Sequence, residues 1–286
     1  MSFAIELLGI TKSYPGVVAN DHVTIQIRDG EIHGLIGENG AGKSTTIKAI
    51  VDLIHTDGGS ICVLGKDVRK RGKEIREEIG VVLDGASFHE TLRAKEIGKF
   101  MGKIYKNWDE KYYQRLLKTF NVPGNKPIKN FSTGMKMKLM IVAAMAHHPK
   151  LLILDEATSG LDPVVRDEIL DIFQEFIQDE EHSVLISSHI TSDLEKVADY
   201  ITFIHKGEIF LSEEKDRILE EYGIVRCRPE DVATIDDKMI IGVSRGTYSC
   251  DVLVNQRERL KQQHPDFIIN RIKLEDVLIF KVKGDK

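Results

Sequence analysis

Cysteine is scarce in this chain, with three in 286 residues (Cys62, Cys227, Cys250), odd in number and far apart. That excludes a disulfide framework, offers no zinc-ligand spacing, and makes a reducing cytosol the natural setting. Proline is sparse at seven, and with 42% hydrophobic and 30% charged residues the chain reads as folded rather than disordered. Long hydrophobic runs are missing: the longest, Leu139 to Ala146, has eight residues, far short of the roughly 20 a membrane helix needs. Any membrane role is therefore expected to be borrowed from a partner. The opening MSFAIELLGI carries Glu6 and no basic segment, unlike a signal peptide. Neither charge dominates, with 40 Lys+Arg against 45 Asp+Glu and a net charge of −5. This argues against a strongly basic nucleic-acid binder, and no nucleic-acid partner is expected. No internal repeat or low-complexity segment is present.

What is present is an alternation of short apolar runs with amphipathic helical stretches up to about residue 210, the pattern of an α/β domain. Ile5 to Leu8, Val23 to Ile27 and Ile32 to Ile36 read as strands, the last two separated by an Asp29-Gly30 turn. A helix is expected from Lys43 to Leu53 and a strand from Gly80 to Leu83. Residues 88–148 form a helical insert, with helices expected over Thr91 to Tyr105, Asp109 to Phe120 and Thr133 to His148. Leu151 to Glu156 is a continuous apolar run ending in two acids, as in a buried parallel strand. Asp162-Pro163 opens the next helix with an N-cap and a first-turn proline, and Val165, Ile169, Ile172, Phe173 and Phe176 form its apolar stripe. Val184 to Ser187 is another strand, and Ile201 to His205 with Glu208 to Leu211 make a hairpin about Lys206-Gly207. The charged segment after Ser212 reads as a connector. A small C-terminal accessory unit, 213–286, carries strand-like runs at Met239 to Val243, Cys250 to Val254 and Val277 to Val282.

Gly37 to Ser44, GENGAGKS, matches G-x-x-x-x-G-K-[ST] between an expected strand and an expected helix. Gly37, Gly40 and Gly42 let the loop curl, so that backbone N–H groups from Gly37 through Asn39 and Ala41 to Thr45 face one anion at the positive end of a helix. Lys43 reaches the β- and γ-phosphates of a nucleotide, and the Ser44 hydroxyl can ligate Mg²⁺. Downstream, Asp155 closes a buried strand within reach of that metal, and Glu156 is placed to polarise an attacking water.

With Tyr14, Asp84 after Val81-Val82-Leu83, the segment Phe131-Ser132-Thr133-Gly134-Met135, and Ser187-Ser188-His189, these motifs resemble the ATP-binding cassette (ABC) ATPases over about residues 1–212. The discriminating segment is FSTGM, whose Ser132 lies 23 residues before Asp155. The resemblance implies a P-loop ABC cassette: a mixed sheet core, an antiparallel β subdomain and the helical insert, with the C-terminal unit appended. It implies ATP and Mg²⁺ as ligands, ring stacking of Tyr14 on adenine, His189 at the γ-phosphate, and Ser44, Asp84 and Asp155 around the metal. It also implies that Ser132, Thr133, Gly134 and Asp162 act in trans on the nucleotide of a second copy, giving an ATP-sandwiched homodimer. Ser132 makes sense there as the cap of a helix whose free N–H groups point outward.

The signature departs from the family's usual LSGGQ at Phe131, Thr133 and Met135. Asp84 stands where the family commonly has Gln, and Ala157 where a proline usually follows the acids. The resemblance implies an ATPase that energises a separately encoded permease, placing the chain peripherally on the inner face of the membrane. FSTGMKMK, Asp84 and the short C-terminal unit are most similar to cassettes of bacterial drug and peptide export systems. A soluble ABC ATPase acting on ribosomes or nucleic acid is disfavoured by the single motif set, the absence of a long heptad insert and the acidic net charge.

Overall fold

The computed structural model describes residues 2–284. Its first two strands, β1 (Phe3–Tyr14) and β2 (Val17–Arg28), form an antiparallel pair in which Val23, Ile25 and Ile27 are buried and the residues between them exposed. That period of two leaves one apolar face to pack inward. Across the Asp29-Gly30 turn follows β3 (Ile32–Ile36), buried at every residue because it lies mid-sheet and is covered on both faces. After the glycine loop comes α1 (Lys43–Ile50), which stops before the expected Leu53 because Asp52 adopts a left-handed backbone, φ 60°. Strands β4 (Gly58–Val63) and β5 (Lys66–Asp67) complete an antiparallel sheet ordered β2-β1-β4-β5.

Helix α2 (Val68–Glu78), capped by Asp67, was not legible in the periodicity and delivers β6 (Ile79–Val82). The insert holds α3 (Ala94–Met101), α4 (Glu110–Thr119) and α5 (Thr133–Met145). The first is shorter than expected, since Arg93 bridges Pro127 in extended conformation, and the last ends before His148, whose φ is 55°. Strand β7 (Leu151–Asp155), helix α6 (Pro163–Phe176), β8 (Ser183–Ser188), α7 (Thr191–Val197), β9 (Tyr200–His205) and β10 (Glu208–Glu214) follow. The central sheet runs β10-β9-β3-β8-β7-β6, parallel except for β10. Leu152 and Leu154 face the helical layer, while Leu151 and Ile153 face the antiparallel sheet and α1, so β7 feeds two cores.

The segment expected to be a connector contains α8 (Lys215–Glu221). Beyond it, β11 (Gly223–Cys227), β12 (Ile240–Arg245), β13 (Cys250–Val254) and β14 (Ile268–Asn270) make a third sheet, ordered β12-β13-β11-β14 and antiparallel, with α9 (Arg257–Gln263) between its last two strands. One expectation fails: Val277 to Val282 is not a strand but part of α10 (Leu274–Lys283). Asp276 accepts a hydrogen bond from the Lys273 backbone N–H at 2.8 Å, and Leu274, Val277 and Phe280 bury one helical stripe in the main core. Glu195 of α7 accepts from the Leu274 N–H at 2.6 Å, so this helix is fastened to the ATPase core of its own chain.

Candidate functional site

Four neighbouring strands of the central sheet, β3, β8, β7 and β6, end on one edge, and the motif residues sit just past their carboxyl ends: Gly37 after β3, His189 after β8, Asp155-Glu156 at β7, and Asp84 beyond β6. Strand β3 lies between β9 and β8, so the loop that follows it opens near the centre of this edge. A cleft of about 240 Å³ opens there, lined among others by Val17, Val18, Lys43, Ser44, Asp84 and Glu156. Asn39, Gly40, Gly42 and Thr45 also line it.

The loop geometry requires Gly42, whose φ is 114° and where a Cβ would fall 2.4 Å from the Ala19 carbonyl oxygen. The Gly42 carbonyl accepts from Nδ2 of wholly buried Asn20 at 3.4 Å, and the same nitrogen donates to Thr46 Oγ1 at 2.9 Å. Lys43 is 5% exposed, and its Nζ donates to the Gly37 carbonyl at 2.7 Å while lying 3.1 Å from Glu156 Oε1. The other Glu156 oxygen accepts from His189 Nδ1 at 2.7 Å. A buried ammonium, a carboxylate and an imidazole thus form a continuous chain across three strand ends. Glu156 holds a left-handed backbone, φ 54°, a conformation that costs about 1–3 kcal/mol in a residue with a side chain. Its N–H donates to the Ser187 carbonyl at 3.1 Å and lies 3.2 Å from Ser187 Oγ, which offsets that strain.

Asp155 is 1% exposed, with Oδ1 accepting from Ser187 Oγ at 2.6 Å and Oδ2 buried without a partner among the described residues. A buried carboxylate oxygen lacking a protein donor has room to accept from an ordered water or to face a cation or its water shell. The described residues hold no cluster of three or more His, Cys, Asp or Glu side chains able to cage a metal. Mg²⁺ needs no such cage, since it takes one or two protein oxygens and fills its shell with water and phosphate. The oxygen donors Ser44, Asp84 and Asp155 fit such an ion.

Tyr14 is not brought into the cleft wall. It is 43% exposed with the Lys12 ammonium 5.5 Å above its ring, and the apolar wall is made instead by Val17 and Val18, at 59% and 54% exposure. Ser132 caps Met135 N–H at 3.2 Å, and Asp162 caps Val165 N–H at 3.1 Å. The two capped helix starts adjoin, because a Cβ on buried Gly134 would meet Val165 at 2.7 Å. The missing side chain at Gly134 therefore serves α5–α6 packing within the chain, while Ser132, Thr133 and Asp162 remain exposed, away from the chain's own cleft wall. Sequence reasoning missed Val17, Val18, Asn20 and Ser187. It also missed His205, whose Nδ1 lies 2.7 Å from Glu38 Oε1 in the glycine loop, a contact too oblique for a good hydrogen bond.

A phosphate-cradling loop after a central strand, with paired acids two strands away on the same edge, defines a P-loop nucleotide hydrolase. The ABC transporter family model matches residues 20–159. The bacitracin transport ATP-binding protein BcrA of Bacillus licheniformis is 35% identical over 73% of this chain and 69% of its own length. The lantibiotic transport ATP-binding protein SrtF of Streptococcus pyogenes is 36% identical over 74% of this chain and 91% of its own. Among solved structures, an ATP-binding subunit of an ABC transporter superposes with a TM-score of 0.67 at 29% identity, over 76% of this chain and 92% of that one. A dimeric ABC cassette, MJ0796, shares the fold at a TM-score of 0.68 and 22% identity, over 74% and 98% of the two chains. The chain belongs to the ATP-binding subunits of ABC transporters, and it is an ATPase.

Proposed function

We propose that the chain works as a head-to-tail homodimer that closes on ATP to drive a separately encoded permease in export. The observation that carries this reading is the Lys43–Glu156–His189 chain of contacts at the strand ends, because it joins a phosphate ligand, a general base and a γ-phosphate partner in one place. Within it Lys43 exchanges its Gly37 and Glu156 contacts for the β- and γ-phosphates. That frees Glu156 to accept the proton of the attacking water. His189, donating from Nδ1 to Glu156, fixes the carboxylate and offers its other nitrogen to the γ-phosphate. Mg²⁺ held by Ser44 and Asp155, with Asp84 beside it, would neutralise charge on the β- and γ-oxygens. Tyr14, at the rim, stacks on adenine, with Val17 and Val18 giving the base an apolar floor.

Exposure of Ser132, Thr133 and Asp162 at two adjoining helix starts supports their use by a second copy, since capped N-termini still present free N–H groups to an anion. No helix among the described residues is long and apolar enough to cross a membrane, which supports recruitment of a permease. The groove lined by Val81, Phe88, Met101, Tyr105, Met140 and Ala143, between the insert and the sheet, is an apolar seat for a permease helix. Relatives named for bacitracin and lantibiotic transport support a peptide-like cargo.

Two measurements test this. Sizing with Mg-ATP should give dimers for wild type and monomers for Ser132→Arg, whose long cation blocks the capped helix start; ATP-dependent dimers of that variant would remove the shared site. Affinity purification from gentle detergent extracts should return one polytopic membrane protein. Recovery of ribosomes or nucleic acid in its place would overturn the transport reading.

A further inference from the structure

The helical insert, residues 88–148, contains twelve lysines and arginines against four acidic residues, a surplus of eight, whereas the whole chain is at −5 and the remainder therefore at −13. All four acids are engaged locally. Glu90 accepts from Lys136, Glu96 from the Arg93 N–H, Asp109 from Tyr112 N–H and His148, and Glu110 from Trp108 and Gln114. Lys138 pairs with Glu168 outside the insert. The ten remaining cations are exposed and have no ion-pair partner among the described residues. Lys95, Lys99 and Lys103 follow one another at four-residue spacing along and just past α3, and Lys111, Arg115 and Lys118 form a second stripe on α4. Beside the α3 stripe, Phe100 and Ile104 stand out at 58% and 52% exposure. Two bare apolar side chains set among unpaired lysines match a surface that is anionic outside and apolar a few ångströms deeper.

We propose that this face of the insert binds the anionic headgroups of the membrane leaflet directly, so that lipid as well as permease holds the ATPase in place. This rests on the transport reading only for its biological setting, since lipid binding is measured without a permease. The location is coherent, because α3 supplies Met101, and the segment just past it Tyr105, to the apolar groove.

The test is co-sedimentation of the full chain with vesicles of phosphatidylcholine and phosphatidylglycerol in equal parts, against phosphatidylcholine alone, at low and high salt. Binding is expected to anionic vesicles only and to fall as salt rises. The K95Q/K99Q/K103Q variant should bind on the order of 100-fold more weakly, about fivefold for each lysine removed. F100S/I104S should weaken binding at high salt, where the apolar part remains. ATP hydrolysis in solution, far from these residues, should stay at the wild-type rate and report that the variants fold. Equal binding to neutral vesicles, no binding at low salt, or undiminished binding by the triple variant would each overturn the proposal. Capture of an acidic peptide without vesicle binding would do so as well, by assigning the patch to a protein partner.

Discussion

The proposed mechanism asks two conflicting things of Glu156: to pair with Lys43 and His189, and to take a proton from water. Burial at 10% side-chain exposure keeps the conflict sharp, since few water molecules compete for its oxygens. Glu156→Gln keeps the shape and the contact with Lys43 but removes the base. ATP affinity by calorimetry should therefore persist while phosphate release falls by about 10²–10⁴-fold, the range general-base catalysis supplies; wild-type release would take Glu156 out of that role. At the loop apex, Glu38 places a carboxylate on the wall of a cleft that must admit a triphosphate, and His205 lies against its Oε1. Removing the imidazole in His205→Ala frees that negative charge and should raise KM for ATP several-fold with kcat little changed. Glu38→Gln in the same background should restore KM, because the repelling charge is gone. A KM unmoved by either change would show that the pair only fills space.

Helix starts carry the second half of the proposed shared site, and they depend on packing that a motif cannot express. Gly134 lies against Val165, so Gly134→Val should push α5 and α6 apart and cost about 1–3 kcal/mol by overpacking, read from the urea midpoint. Asp162→Ala, which removes a cap, should cost about 1 kcal/mol; a loss in the first no larger than in the second would mean the Val165 contact is slack. The glycine loop, Asp84, the Asp155-Glu156 pair and His189 were legible because each follows or ends a strand whose apolar run is visible in the sequence, and strand ends gather at one sheet edge. Val17, Val18, Asn20, Ser187 and His205 were not. Their partners lie tens of residues away, or their signal was only an apolar pair after a Pro-Gly turn. The same limit explains α10: a β-branched run with i, i+3 burial satisfies both periods locally, and only the docked face against α7 decides for helix.

Across the whole molecule, the insert and the sheet are joined where α5 returns to the core, and His147 sits at that junction. It is 1% exposed, its Nε2–H donates to the Ile79 carbonyl at 3.0 Å, and its ring stacks on Tyr105 at 4.0 Å. Its Nδ1 is buried with no partner among the described residues, so a second ring proton would find no acceptor. Burial accordingly pushes the imidazole pKa below its ordinary 6.5, the Ile79 bond and Glu77 opposing only in part. The folded state then holds this ring neutral while the unfolded chain takes up a proton below about 6.5. Stability rises with pH wherever the unfolded state binds more protons. The contribution is thus intact above 6.5 and declines as pH falls from there toward the lower folded value. Carboxylates held low by their partners, such as Asp109 with its Tyr112 cap, titrate from below about 4 and fall outside that window. His147→Gln keeps a donor for Ile79 and cannot be protonated. Urea unfolding at stepped pH should therefore show wild type losing stability below 6.5 with a slope that the variant lacks. The insert should loosen first, seen as faster amide exchange in α5 than in β7. Parallel pH curves for the two proteins would mean that the junction tolerates the charged ring, and that acid acts elsewhere in the fold.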